Sequence, residues 1–202
     1  MDNRPCVVKV GGSLFDWPDL GPVLTGWLKT LATPRLILLP GGGPVADVVR
    51  AYDRWHRLGE ETSHWLALRG LTLQAYVLAT LLPSARVVPD AASCAATWEQ
   101  GALPILDGYE WFRRDEGQPG CLPHAWEVTS DALAARVAVL TKAYQLILLK
   151  STDMPLGRDW RELGQVGFVD AHLARVLARS VDPPLRVRAV NLRSWEGPVS
   201  FG

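Results

Sequence analysis

Short apolar runs that end on glycine constrain this chain more than any other feature. Residues 6–10 are β-rich and stop at Gly11-Gly12, and residues 36–39 are wholly apolar and stop at Pro40-Gly41-Gly42-Gly43. Residues 86–88, 103–106, 145–149 and 185–192 are further strand-like stretches. Between them the spacing turns helical: residues 19–31 place Leu20, Val23, Leu24, Trp27, Leu28 and Leu31 on one stripe. Helices are also predicted over 44–55, 62–82 and 91–100, and from Ser130 with Leu133, Val137 and Leu140 on one face. One more runs to residue 179 with Asp170 as its cap. Strands that are apolar throughout, alternating with helices, specify an α/β fold with a mostly parallel sheet covered on both faces. Residues 107–126 break the pattern with Gly108, Gly117, Pro119, Gly120 and Pro123, and read as a hairpin or flap.

The remaining bounds are simple. At 202 residues the chain fits one domain. Lys plus Arg and Asp plus Glu are both 21, so there is no electrostatic footprint for nucleic acid. No apolar run reaches the ~18 residues of a membrane span, and the N-terminus leads into a strand rather than a signal segment. The three cysteines, Cys6, Cys94 and Cys121, are odd in number and far apart, which fits reduced thiols in a cytoplasmic protein. Most of the nine tryptophans read as core or interface residues.

Three features at strand ends can carry chemistry. In Lys9-Val10-Gly11-Gly12-Ser13 a lysine sits inside an apolar strand, where burial is costly without a counter-charge. An anion beyond the strand would supply one, and the glycines let backbone N–H groups approach it; a lysine snorkelling to water beside a tight turn is the plainer alternative. Pro40-Gly41-Gly42-Gly43-Pro44 joins a strand to a helix N-terminus, a natural anion site, and matches neither the P-loop nor the dinucleotide pattern. Thr129-Ser130-Asp131 opens a helix, and helix capping by itself accounts for Ser130 and Asp131. Lys150-Ser151-Thr152-Asp153 puts a second lysine at a strand end. Two lysines, two glycine nests and one aspartate on a single sheet edge suit phosphoryl transfer, which needs positioning and charge neutralisation more than covalent chemistry.

These motifs resemble the amino acid kinase family. The stretches are Val8-Lys9-Val10-Gly11-Gly12-Ser13-Leu14, Leu39-Pro40-Gly41-Gly42-Gly43-Pro44, Thr129-Ser130-Asp131-Ala132-Leu133-Ala134-Ala135 and Leu148-Leu149-Lys150-Ser151-Thr152-Asp153, in family order over residues 6–192. The resemblance implies a three-layer αβα sandwich with its site along the carboxyl edge of an open sheet. It implies catalytic roles for Lys9, Asp131 and Lys150, with the lysines on the transferring phosphoryl group and Asp131 orienting them. Phosphate binding would fall to Gly11, Gly12, Ser13, Gly41, Gly42 and Gly43, and nucleotide binding to Ser130, Ser151, Thr152 and Asp153. ATP and Mg²⁺ would be the cofactors, the Mg²⁺ arriving with ATP rather than in a protein cage. The acceptor half would be about 1–128 and the nucleotide half about 129–202 of a single domain, and the family's habit of assembling implies a homo-oligomer.

Within the family the chain is similar in particular to the branch that phosphorylates an aminomethylfuran methyl phosphate to its diphosphate in methanofuran-type cofactor biosynthesis. Gly41-Gly42-Gly43-Pro44-Val45-Ala46-Asp47, Ser63-His64-Trp65-Leu66-Ala67-Leu68, Trp126-Glu127-Val128-Thr129-Ser130-Asp131 and Val190-Asn191-Leu192-Arg193 carry that likeness. Such an acceptor needs a carboxylate for its ammonium and donors for its phosphate. Asp53 is a candidate for the amine and Arg57 for the phosphate, with His64 nearby; an exposed carboxylate, a solvated arginine and a structural histidine are the plainer readings of the three. Two alternatives stand beside this one: a non-catalytic member that binds a nucleotide or oxyanion for storage or regulation, and a kinase that forms an acyl phosphate on an amino acid.

Overall fold

The computed structural model describes residues 3–179 and 185–197. Its sheet has six strands, all parallel: β1 (Cys6–Val10), β2 (Leu36–Pro40), β3 (Ala85–Val88), β4 (Leu103–Leu106), β5 (Gln145–Lys150) and β6 (Arg186–Asn191). Their spatial order is β3-β4-β2-β1-β5-β6. The chain moves outward from β1 to one side through β2, then returns to the other side of β1 for β5. Such a reversal opens a crevice at the carboxyl ends of the strands where it occurs. Lys9 in β1 stands beside Leu148 of β5, so Lys9 and Lys150 lie on neighbouring strands near that crevice.

The described residues form eight α-helices: α1 (Leu20–Leu28), α2 (Gly43–His56), α3 (Glu60–Leu81), α4 (Ala91–Glu99), α5 (Gly108–Asp115), α6 (Ser130–Leu140), α7 (Trp160–Gln165) and α8 (Ala171–Ala178). The period-2 alternation of the central strands sorts them into two layers. Val7, Leu146 and Leu148 join the core that includes α4, α5, α6 and α8. Cys6, Val8, Val10, Ile147 and Leu149 face the opposite core with α1 and the second half of α3. The three-layer αβα arrangement is therefore as the apolar runs require. Ala132, Ala134, Ala135 and Ala138 keep α6 slim, and all four are buried. That lets α6 lie close to β1 and β5 and brings its first turn over the strand ends.

One expectation needs correction. Residues 107–126 hold α5 rather than a hairpin: Asp107 caps it by accepting from the Glu110 amide, and Trp111 and Phe112 are buried beneath it. Gly108 is its first residue, and Gly117, Pro119, Gly120 and Pro123 punctuate only the segment beyond it. Helix α7 escaped the sequence reading because it is six residues long, although Asp159 and Glu162 form a full capping box at its start. Trp27 and Trp111 are buried and Trp55 is 70 % exposed, so the tryptophans do not act as one group. All three cysteines are free thiols. No helix among the described residues is long and apolar enough to cross a membrane.

Candidate active site

The site begins with the cost of burying Lys9, which is 5 % exposed. Its Nζ lies 2.9 Å from Oδ1 of Asp131 as an ion pair, without the alignment of a hydrogen bond. The other oxygen, Oδ2, accepts a 2.6 Å hydrogen bond from Lys150 Nζ. Lys150 also donates to the Phe168 carbonyl at 2.8 Å and sits over the Phe168 ring. Two ammonium groups thus share one carboxylate, which leaves a net positive charge under the strand ends. Burial pushes the Asp131 carboxyl up, but Lys9 and Lys150 outweigh it and hold the group below its ordinary value. Lys150 is shifted down, first by burial and then by Lys9. An anion held between the lysines would relieve both effects on Lys150's proton.

Asp131 is aimed by capping on two helices at once. The Thr129 hydroxyl accepts from the Asp131 amide, and Thr129 is the N-cap of α6. Asp170 caps α8 through Oδ1, accepting from the His172 and Leu173 amides. Its Oδ2 accepts from the Thr129 hydroxyl and from the Thr129 and Ala132 amides. The sequence identifies Asp170 only as a local cap; its second role spans about forty residues of chain and has no local signal.

The two glycine segments press on each other. A Cβ on Gly12 would lie 2.3 Å from the Gly43 nitrogen, and one on Gly41 2.6 Å from the Gly12 nitrogen. Gly43 has φ +49 and opens α2, whose first amides have no partners within the helix. Gly11 donates to the Leu149 carbonyl, which fastens the first loop to β5. Ser13 Oγ lies 2.8 Å from Ser151 Oγ, and Asp153 accepts from the Asn191 amide group. Arg193 donates to the Ser13 carbonyl and pairs with Asp16. Both predicted loops, Ser130, Ser151 and the lysine–aspartate triad are therefore brought together at one end of the sheet. Thr152 is exposed next to them.

A cleft of ≈ 370 Å³ opens from the glycine loops, walled at that end by Gly12, Gly42, Gly43 and Ser130. Helix α2 contributes Ala46, Asp47 and Arg50, continuing the i, i+3, i+4, i+7 stripe that starts at Gly43. Helix α3 contributes Glu60, His64, Ala67, Leu68 and Leu71 from its own stripe. Residues 125–129 close the third side, with Trp126 under the Arg50 guanidinium at 5.1 Å. His64 lines the cleft; burial pushes its imidazole down to about 4. Asp53 and Arg57 do not line it. Asp53 instead accepts from Trp126 Nε1 at 2.9 Å and from the Gly59 amide at 3.1 Å, and those bonds, Trp126 first, hold its carboxyl low. Arg57 is the left-handed C-cap of α2. Asp47 and Arg50 were legible as one helical stripe with Gly43; Glu60 and Trp126 needed the tertiary structure.

A family model for the amino acid kinase family matches residues 4–154. The chain belongs to the amino acid kinase family. A curated member, [5-(aminomethyl)furan-3-yl]methyl phosphate kinase of Methanocaldococcus jannaschii, is 26% identical over 148 residues, 73% of this chain and 66%, just under two thirds, of its own length. Among solved structures of the same fold, UMP kinase from Bacillus anthracis superposes with a TM-score of 0.65 at 15% identity, over 94% of this chain and 87% of that one. Carbamate kinase from Giardia lamblia bound to AMP-PNP does so with a TM-score of 0.58 at 9% identity, over 94% and 93%. Within this amino acid kinase fold, the lysine–aspartate triad and both glycine loops lie inside the matched residues.

Proposed function

We propose that the chain is an ATP-dependent kinase for a small phosphorylated acceptor, [5-(aminomethyl)furan-3-yl]methyl phosphate or a close analogue, and that it makes the diphosphate. One observation carries the transfer chemistry: Lys9 and Lys150 take opposite oxygens of the buried Asp131 beside two abutting glycine loops. The acceptor rests on the likeness to the curated relative and on a cleft whose lining holds more carboxylates than cations.

In this reading the γ-phosphoryl group of ATP lies over the glycine loops. An oxygen of the acceptor's phosphate attacks the γ-phosphorus, the bond to the β–γ bridging oxygen breaks, and ADP leaves with that electron pair. Lys9 and Lys150 neutralise the charge spread over the transferring oxygens, and the loop amides hold them in line. Asp131 keeps both ammonium groups aimed while the site is empty of phosphate. Ammonium and amide groups bind phosphate oxygens rather than a cation, so Mg²⁺ would be held by the nucleotide's phosphates and would share in neutralising them. The acceptor half is about 1–128 and the nucleotide half about 129–202, with Ser130, Ser151, Thr152 and Asp153 on the nucleotide side.

The test is ADP release from Mg²⁺-ATP with the aminomethylfuran phosphate, compared between wild type and Lys9→Met. Acceptor-dependent release that falls by about 100-fold or more in the variant is expected. Release unaffected by the substitution removes the assigned phosphoryl site. Release supported only by an amino acid or acylated amino acid removes the furan acceptor in favour of acyl phosphate formation.

A further inference from the structure

The charge along the cleft is uneven. Of its three lining carboxylates, Asp16 is paired with Arg193 and Asp47 with Arg50 at 2.7 Å. Glu60 has no ion-pair or hydrogen-bonding side-chain partner among the described residues. The guanidinium on the wall, Arg50, is engaged by Asp47 and stacked toward Trp126. His64 is mostly neutral at pH 7, since burial holds it near 4. Among the described residues, the outer cleft therefore has one uncommitted charge, and it is negative. The inner end is bounded by the glycine loops and the first amides of α2, with the lysine–aspartate triad beyond the cleft lining on the same sheet edge.

Position matters as well. Leu71 packs at the glycine end of α3, against Gly42. Glu60 is eleven residues nearer the helix start, about 16 Å along the axis at 1.5 Å per residue. That length accommodates the transferring phosphoryl group, the acceptor's own phosphate and one flat ring before a cationic group is reached. The wall between is apolar, made by Ala67, Leu68 and Leu133, with the Trp126 ring nearer the mouth.

We propose that Glu60 determines acceptor specificity by pairing with a primary ammonium at the outer end of the cleft, while Trp126 forms the wall against which the ring lies. The cleft thus selects a bipolar acceptor, anionic end inward and cationic end outward. This deepens the kinase reading above and rests on it. A fully anionic acceptor gains nothing from Glu60, and a carboxylate placed there would be repelled.

Glu60 also sits at the favourable positive end of α3, so stability alone cannot report on recognition. The readout is the ratio of kcat/KM for the aminomethylfuran methyl phosphate to that for its hydroxymethyl counterpart, a neutral near-isostere. Wild type is expected to prefer the amine by about tenfold or more, as for one charge-assisted bond. Glu60→Gln should bring the ratio within about threefold of unity. A retained preference in Glu60→Gln overturns the assignment, as does a wild type that does not discriminate. If wild type releases no ADP with either compound, the acceptor reading fails by itself. Calorimetric binding of the same two compounds then decides on Glu60: a preference lost in Glu60→Gln upholds its role, and equal binding by wild type ends it.

Discussion

Thr129 donates twice to the same oxygen of Asp170, through its hydroxyl at 2.6 Å and its amide at 3.1 Å. That oxygen also takes the Ala132 amide, while its twin caps α8. One carboxylate therefore sets the start of the helix that carries Asp131 and ties it to the C-terminal part of the fold. Asp170→Ala would leave the start of α8 uncapped and the Ala132 amide in the first turn of α6 without its acceptor, with about 2–4 kcal/mol of stability lost, at 1–2 kcal/mol for each helix. Urea unfolding of the variant against wild type measures this. A loss below about 1 kcal/mol would mean that water replaces the cap on both helices.

Asp131 and Lys9 should separate stability from turnover. Lys9→Met removes one of two cations and leaves a neutral Lys150–Asp131 pair, so the melting temperature should stay near wild type while turnover collapses. Asp131→Asn leaves two buried ammonium groups facing each other without a counter-charge, which costs about 3–5 kcal/mol. Thermal unfolding of both variants, with and without phosphate, tests the contrast. Added phosphate should recover more stability in Asp131→Asn than in wild type, because it replaces the missing negative charge.

Gly12→Ala tests the contact between the loops. Its Cβ would meet backbone, not a movable side chain, at 2.3 Å. The two loops must then separate, with a cost of about 1–3 kcal/mol and a fall in turnover of more than about tenfold. Steady-state kinetics alongside a melting curve would show whether both losses occur together.

The segment after α5 is held by His124, whose Nδ1 pairs with Glu61 and whose Nε2 lies 2.9 Å from Glu116. Burial lowers the His124 imidazole, but the two carboxylates outweigh it and raise the group above its ordinary 6.5. A proton bound more tightly in the fold than in the unfolded chain adds stability below pH 6.5, and that gain disappears as pH rises through the folded value. The advantage of wild type over His124→Gln should therefore be largest below the ordinary 6.5 and shrink as pH rises above it. Paired urea titrations at several pH values measure it. An advantage that grows with pH would place the proton elsewhere. His64, stacked on His124 with ring centroids 4.2 Å apart, is shifted the opposite way, so the difference between the two proteins is the quantity to follow.

Local patterns made the layers, the strand runs and both glycine loops legible, helix spans were right to within a turn for α2, α3 and α4, and α6 starts at Ser130 as read. Those features are dictated by neighbours in sequence: apolar runs, 3.6-residue stripes and chain-breaking glycines. Lys9 is a case where the sequence also posed the right question. An ammonium inside an apolar strand needs a negative partner, and the resemblance to a family suggested Asp131. Helix α5 was hidden by the glycines and prolines just beyond it, and α7 by its length.

What the amino-acid order determined unaided was the parallel α/β architecture and the presence of cationic and glycine-rich strand ends. The tertiary structure alone decided that Asp53 braces Trp126 instead of lining the cleft, that Asp170 serves two helices, and that Glu60 is the cleft carboxylate left without a partner among the described residues. The reason is physical. Secondary structure follows from interactions within a few residues, whereas the partner of a charge is whatever folding brings to within a hydrogen bond's reach, and that depends on the whole packing of helices on the sheet.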